Sequence, residues 1–174
     1  TVVTLSCPLP DPRRWSTDDP YLYTLRTQLV EDGKTVDATE TRFGVRSIEF
    51  DPDRGFLLNG EQVKLNGVCI HHDNGCLGAA TWPRAEERKL ETMRAMGANA
   101  IRCSHNPPSP AFLDLCDEMG LLVMHEAFDE WRVGKAPMTF KDGERVERIP
   151  IHGYANYFDE HAEQDLRDAI RRDR

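Results

Sequence analysis

Three short stretches of the 174-residue sequence concentrate side chains that can hydrogen-bond hydroxyl groups, hold a proton or stack against a ring. The first is His71, His72 and Asp73. The second is Arg102, Ser104, His105 and Asn106, and the third is His125, Glu126, Asp129, Glu130 and Trp131. Each stretch sits at the end of a short apolar run. In a parallel α/β sheet the C-terminal ends of the strands, and the loops just after them, face the ligand site, so the three stretches are expected to converge. Any one of these residues has an ordinary reading as an ion pair or a satisfied buried histidine. Their coincidence at three strand ends points to a site. Neighbours on a strand face opposite ways, so only one of His71 and His72 faces the interior, and His71 shares its face with Asp73. The same adjacency counts against a metal hydrolase, which would place two inward histidines two residues apart. No glycine-rich phosphate loop is present, which counts against a nucleotide cofactor. Cys69 and Cys103 are read as small buried hydrophobes, and Met93 and Met96 as core.

The elements that must position these residues are legible from residue 65 onward. The runs 66–71, 99–103 and 121–125 read as strands. A helix over 85–96 carries Leu90, Met93 and Met96 on one face, with Pro83 near its start and Gly97 past its end. Ser109 and Pro110 open a second helix that Gly120 closes. Phe158, Ala162, Leu166 and Ile170 mark a third at spacing four. The order βαβαβ, loop, α implies a parallel sheet with right-handed crossovers, and hence His71, Arg102 and Glu126 at one end of it. The long stretch between Glu130 and Tyr154 reads as a surface excursion over the site, with Trp131 either a stacking platform or ordinary core. Upstream, 20–50 reads as antiparallel strands turning at 31–34, which need further strands to cover them. A second hairpin pairs 55–58 with 62–65 through Asn59-Gly60, a pair suited to a type I′ turn. The domain boundary is placed near 51–54.

Composition bounds the function. The chain carries 22 Lys+Arg against 30 Asp+Glu, a net charge of -8. Phosphate binding wants a basic face, and only Arg171, Arg172 and Arg174 cluster, so nucleic acid is not an expected partner. No apolar run reaches the roughly 18 residues of a membrane span, and no signal peptide pattern opens the chain. Five cysteines without a CxxC pair read as reduced thiols, leaning toward a cytoplasmic setting.

Several ordered segments carry a resemblance: Pro-Tyr-Leu-Tyr-Thr-Leu at 20–25, Arg-Phe-Gly-Val-Arg at 42–46, Leu-Leu-Asn-Gly at 57–60 and Asn-Gly-Val-Cys-Ile-His-His-Asp at 66–73. They continue as Asn-Ala-Ile-Arg-Cys-Ser-His-Asn-Pro-Pro at 99–108, Leu-Cys-Asp-Glu-Met-Gly at 115–120 and Glu-Ala-Phe-Asp-Glu-Trp at 126–131. The sequence resembles glycoside hydrolase family 2, the β-galactosidase and β-glucuronidase family. That resemblance implies a mixed fold: residues 1–50 end an immunoglobulin-like β-sandwich, and 51–174 form the first three βα units of a (β/α)8 TIM barrel. It implies retaining hydrolysis of terminal β-linked sugars, β-galactosidase-like, through a covalent glycosyl-enzyme. His71 and His105 resemble sugar-contacting histidines, Asp73 a substrate-contacting aspartate and Arg102 an active-site arginine. Glu126, Asp129 and Trp131 complete the expected substrate-binding set. Glu130 stands where some relatives bind magnesium, but Arg132 replaces the histidine ligand expected two residues later, and a guanidinium disfavours a cation, so no cofactor is expected. The acid/base and nucleophile glutamates are expected downstream of Arg174, so the chain by itself is expected to be inactive. A non-catalytic carbohydrate-binding or structural module is the alternative. The sugar and the oligomeric state of the parent, a homo-oligomer among the options, stay open.

Overall fold

The computed structural model describes residues 2–134, 139–141, 144–146 and 153–173; for 139–141 and 144–146 it describes the backbone alone. The chain opens with the antiparallel pair β1 (Tyr23–Glu31) and β2 (Lys34–Phe43). Asp32 and Gly33 turn it at φ 50° and 76°, the left-handed pair that a two-residue hairpin uses. The register shifts between Leu29 and Val30, which face Asp37 and Thr35, so Val36 is the extra residue of a bulge. Leu25, Leu29 and Val36 on this ribbon are exposed.

Next come β3 (Ile48–Asp51), β4 (Gly55–Leu58) and β5 (Glu61–Gln62), an antiparallel meander. Asn59 and Gly60 join β4 to β5 with φ of 56° and 86°, as the sequence pair predicts for a type I′ turn. The second arm is shorter than the expected 62–65. Val63 donates once more, to the Phe56 carbonyl at 3.0 Å, and then leaves the ladder with its side chain packed near Trp15 and Leu58.

The parallel sheet consists of β6 (Gly67–Ile70), β7 (Ala100–Cys103) and β8 (Leu122–His125), hydrogen-bonded in that order. Helices α1 (Pro83–Ala95) and α2 (Pro110–Met119) make the two crossovers, and α3 (Phe158–Asp173) follows β8. The predicted end signals operate in α2. Ser109 Oγ accepts from Phe112 N at 3.2 Å, and Gly120 closes the helix at φ 71°. In α1 only part of the expected stripe is core. Leu90 is fully buried and Met93 packs behind it, whereas Met96 is 72% exposed because it forms the helix C-cap, one residue past the covered turns. Leu166 and Ile170 on α3 are likewise exposed. The excursion expected between Glu130 and Tyr154 lies partly outside the described residues, at 135–138, 142–143 and 147–152; within it, β9 (Thr139–Lys141) pairs with β10 (Glu144–Val146) antiparallel. Among the described residues no helix is long and apolar enough to cross a membrane.

Strand alternation gives the parallel sheet two different faces. Val68, Ile70, Ile101, Cys103 and Val123 turn toward α1 and α2 and join Leu90, Phe112, Cys116 and Leu121 in the main core. On the other face, the N-terminal ends of the strands are capped by a second cluster in which Ala100 and Leu122 meet Trp15 and Leu58. Trp15 is 1% exposed and donates from Nε1 to the Asp117 carbonyl at 2.7 Å. Its approach to the chain after β2 depends on glycine: a Cβ on Gly44 would lie 3.1 Å from Trp15 Cβ. One end of the second face is thereby closed, and its C-terminal end stays open.

Candidate active site

The open end is built by three registers. Cys69, Arg102 and Met124 are paired neighbours on β6, β7 and β8, and alternation places them together on the uncapped face. His71 lies two residues beyond Cys69, and Glu126 two beyond Met124, so both continue on that face. The side chains then converge. Arg102 forms an ion pair with Glu126. His105 Nδ1 lies 3.3 Å from Glu126 Oε2, and the His71 and His105 rings stand edge to face with centroids 5.3 Å apart. Arg102 Nη1 also lies 3.5 Å from Cys69 Sγ.

The electrostatics follow from this packing. Partial burial pushes the Glu126 carboxyl upward; the hydrogen bond and charge of Arg102, assisted by His105, more than offset that and hold it below the ordinary carboxylate range. Glu126 is therefore an anionic acceptor at neutral pH, with its partners already in place. Two imidazoles, a guanidinium and a carboxylate around one opening offer donors and acceptors at several angles, which suits a ligand bearing several hydroxyls.

The remaining candidates go elsewhere. Asp73 does not pair with His71: its Oδ1 accepts from Gly75 N at 3.1 Å, just ahead of the short turn Gly75–Leu77. His72 faces Asn106, with His72 Nδ1 2.8 Å from Asn106 Nδ2. His125 points to the helical side, where Nδ1 lies 3.2 Å from Asp173 Oδ2 on α3; the strand alternation that separates His71 from His72 also separates His125 from Glu126. Asp129 borders a recess with Asn106, Phe128 and Tyr154. Trp131 is 65% exposed and so is not core; it rests against Phe128 and Phe158 at centroid distances of 5.7 and 5.6 Å.

Glu130, the magnesium candidate, is 6% exposed, and its Oε2 accepts from Ala155 N at 3.3 Å. A Cβ on Gly153 would overlap this carboxylate, so the glycine makes room for it. Arg132 is engaged by Asp159 on α3 at 2.5 Å. Among the described residues no three His, Cys, Asp or Glu side chains gather as a metal-binding group.

Cys69 and Met124 were missed as members of the open face. Cys69 is exposed, against the expectation of a small buried residue, and Met124 is 58% exposed. Period two carried the signal, since each sits two residues from a recognised polar group.

Residues 52–173 match the model of the glycosyl hydrolases family 2 TIM barrel domain, and residues 1–46 match that of glycosyl hydrolases family 2. Beta-galactosidase BoGH2A of Bacteroides ovatus is 49% identical over 99% of this chain and 19% of its own length. A beta-glucuronidase of Bacteroides fragilis is 40% identical over 66% of this chain and 17% of its own. The crystal structure of a glycosyl hydrolase family 2 member from Bacteroides cellulosilyticus superposes with a TM-score of 0.79 at 47% identity, over 94% of this chain and 19% of that one. The chain thus spans less than a fifth of the length of these relatives. With a family model covering most of its residues, and relatives similar in sequence and in fold, the chain belongs to glycosyl hydrolase family 2.

Proposed function

We propose that this chain supplies the sugar-contacting part of a retaining β-glycosidase acting on terminal β-linked sugars, with a β-galactoside as the first substrate to try. The observation that carries the reading is the convergence of Arg102, Glu126, His105 and His71 at the open C-terminal end of the parallel sheet. In this reading 1–50 closes an immunoglobulin-like sandwich, and β6, β7 and β8 with their helices are the first three βα units of the barrel. The beta-galactosidase name of the Bacteroides ovatus relative supports the choice of sugar. Asp129 and the exposed Trp131 lie on the loop after β8, where a sugar ring or its leaving group would pass.

Retaining hydrolysis needs two carboxylates about 5–5.5 Å apart, one as acid/base and one as nucleophile. The reading assigns neither role to this chain. Glu126 is committed to Arg102 and His105, which suits orienting the substrate rather than attacking it. The donors here would strengthen their bonds to ring hydroxyls as the sugar flattens toward an oxocarbenium-like transition state, which lowers the barrier only insofar as that state is bound better than the substrate.

The test is turnover of a panel of nitrophenyl β-glycosides by the whole enzyme that carries this segment, wild type and His105→Ala. Hydrolysis with retained anomeric configuration, reduced by His105→Ala, is expected. Binding of sugars without turnover would instead favour a non-catalytic carbohydrate-binding module.

A further inference from the structure

Two loops bring His71 and His105 to the same opening, and one side chain joins those loops. Asn106 Oδ1 accepts from the backbone N–H of His105 at 3.1 Å, and its Nδ2 lies 2.8 Å from Nδ1 of His72. We propose that Asn106 is a positioning residue: it clasps the loop after β6 to the loop after β7 and so sets the His71 and His105 rings relative to each other and to the sugar. The inference rests on the functional reading above and adds a residue to it that touches no substrate.

The chemistry of the amide decides the polarity of the clasp. A backbone N–H can only donate, so the atom of Asn106 that faces His105 is its oxygen. The nitrogen must then face His72, and because an amide NH₂ only donates, His72 Nδ1 is the acceptor and its ring proton sits on Nε2. His72, which alternation turns away from His71, thereby anchors the clasp from the far side. The rest of the loop after β7 is held at other points. Ser104 N donates to the Ile70 carbonyl at 2.9 Å, Arg172 Nη2 donates to the Pro108 carbonyl at 2.7 Å, and Ser109 caps α2. Between these fixed ends His105 itself is exposed, with Glu126 and the His71 ring as its side-chain neighbours. Without the clasp the two imidazoles lose a shared reference. A displacement of about 1 Å at such a site can cost on the order of 10²-fold in rate.

The experiment measures kcat and KM of the whole enzyme on a nitrophenyl β-galactoside for Asn106→Ala, Asn106→Asp and Asn106→Asp with His72→Phe, with melting curves alongside. Asn106→Ala should lower kcat about ten- to hundredfold and move KM by no more than about threefold, because a misplaced contact is felt most in the transition state. Asn106→Asp keeps the oxygen for His105 and can accept from His72 once the ring proton moves to Nδ1. It should recover activity to within about fivefold of wild type, and His72→Phe should abolish that recovery. An Asn106→Ala enzyme within twofold of wild type overturns the proposal, as does an Asn106→Asp enzyme no better than Asn106→Ala, or a recovery that persists without His72. If Asn106→Ala fails to fold, the comparison of Asn106→Asp with and without His72→Phe decides alone. A wild-type enzyme that turns over no β-glycoside overturns the functional reading itself, and with it this role; an active enzyme with the wrong variant pattern overturns only the clasp.

Discussion

Arg102 on β7 and Glu126 just past β8 come from adjacent parallel strands, and their charged groups meet across the uncapped face of the sheet. Met124, the neighbour of Arg102 in register, points the same way and sets the spacing between them. The pair is partly solvent-exposed, at 42% and 24% of the two side chains. Ion pairs so exposed contribute little to stability, so a functional role is the better account of its placement.

Glu126→Gln should therefore separate the two effects. The amide keeps the shape, removes the charge opposite Arg102 and weakens the acceptor that His105 faces. In the whole enzyme kcat/KM for a nitrophenyl β-galactoside should fall about ten- to hundredfold, because the guanidinium and one imidazole lose their alignment together. The melting temperature should hardly move. A large drop in melting temperature with unchanged kcat/KM would show that the pair is structural. The pH dependence has a definite sign. Because the Glu126 pKa is depressed below its ordinary 4.5 in the folded chain, the pair's contribution is fully present above that value and is lost as pH falls through the lower, folded value. Glu126→Gln should remove that acid-side dependence.

How much of this was legible in the sequence differs from element to element. Asn59-Gly60, Ser109-Pro110 and Gly120 announced their turn, cap and stop because those conformations are decided within a few residues: positive φ, a side-chain acceptor for an orphan N–H, a left-handed C-cap. Strand alternation was equally local, and applied to β8 it separates His125 from Glu126 as surely as it separates His71 from His72. Cys69 was assigned by the habits of its residue type, and residue type lost to position: the open face of the sheet takes whatever alternation puts there. The Asp73 turn and the Asn106 clasp depend on loop backbone that no periodicity encodes. Trp15 was illegible for a different reason. It stands in an irregular polar stretch, and its partners Asp117, Ala100 and Leu122 lie about a hundred residues away in sequence.

That distant packing gives a stability prediction. Trp15 closes the capped end of the sheet, and its indole N–H satisfies the Asp117 carbonyl near the end of α2. Trp15→Phe keeps most of the apolar contact and leaves that carbonyl without its donor, which should cost about 1–3 kcal/mol. Trp15→Ala also opens a cavity against Leu58, Ala100 and Leu122, and should cost about 3–5 kcal/mol. Urea unfolding of the two variants checks the order; a Trp15→Phe chain as stable as the wild type would show that the indole N–H contributes nothing beyond the ring's volume.

The last prediction concerns His125, which faces the helices. Nδ1 meets Asp173 on α3, so the ring proton belongs there, and Nε2 is buried with no hydrogen-bond partner among the described residues. A second proton on Nε2 would place a charged donor where no described residue accepts it. Burial accordingly pulls the His125 pKa below 6.5; Asp173 opposes the shift and nearby Arg172 adds to it. A histidine with a depressed folded pKa binds protons more readily when unfolded. Its neutral form supports the fold fully above about pH 6.5, and that support is lost as pH falls from 6.5 through the folded value. His125→Gln keeps a donor for Asp173 and cannot titrate. The melting temperature of the wild type should therefore fall between pH 7 and pH 5 by more than that of His125→Gln, with the two curves parallel above pH 7. Parallel curves over the whole range would mean that His125 does not change its protonation on unfolding, and that its buried Nε2 has found an acceptor.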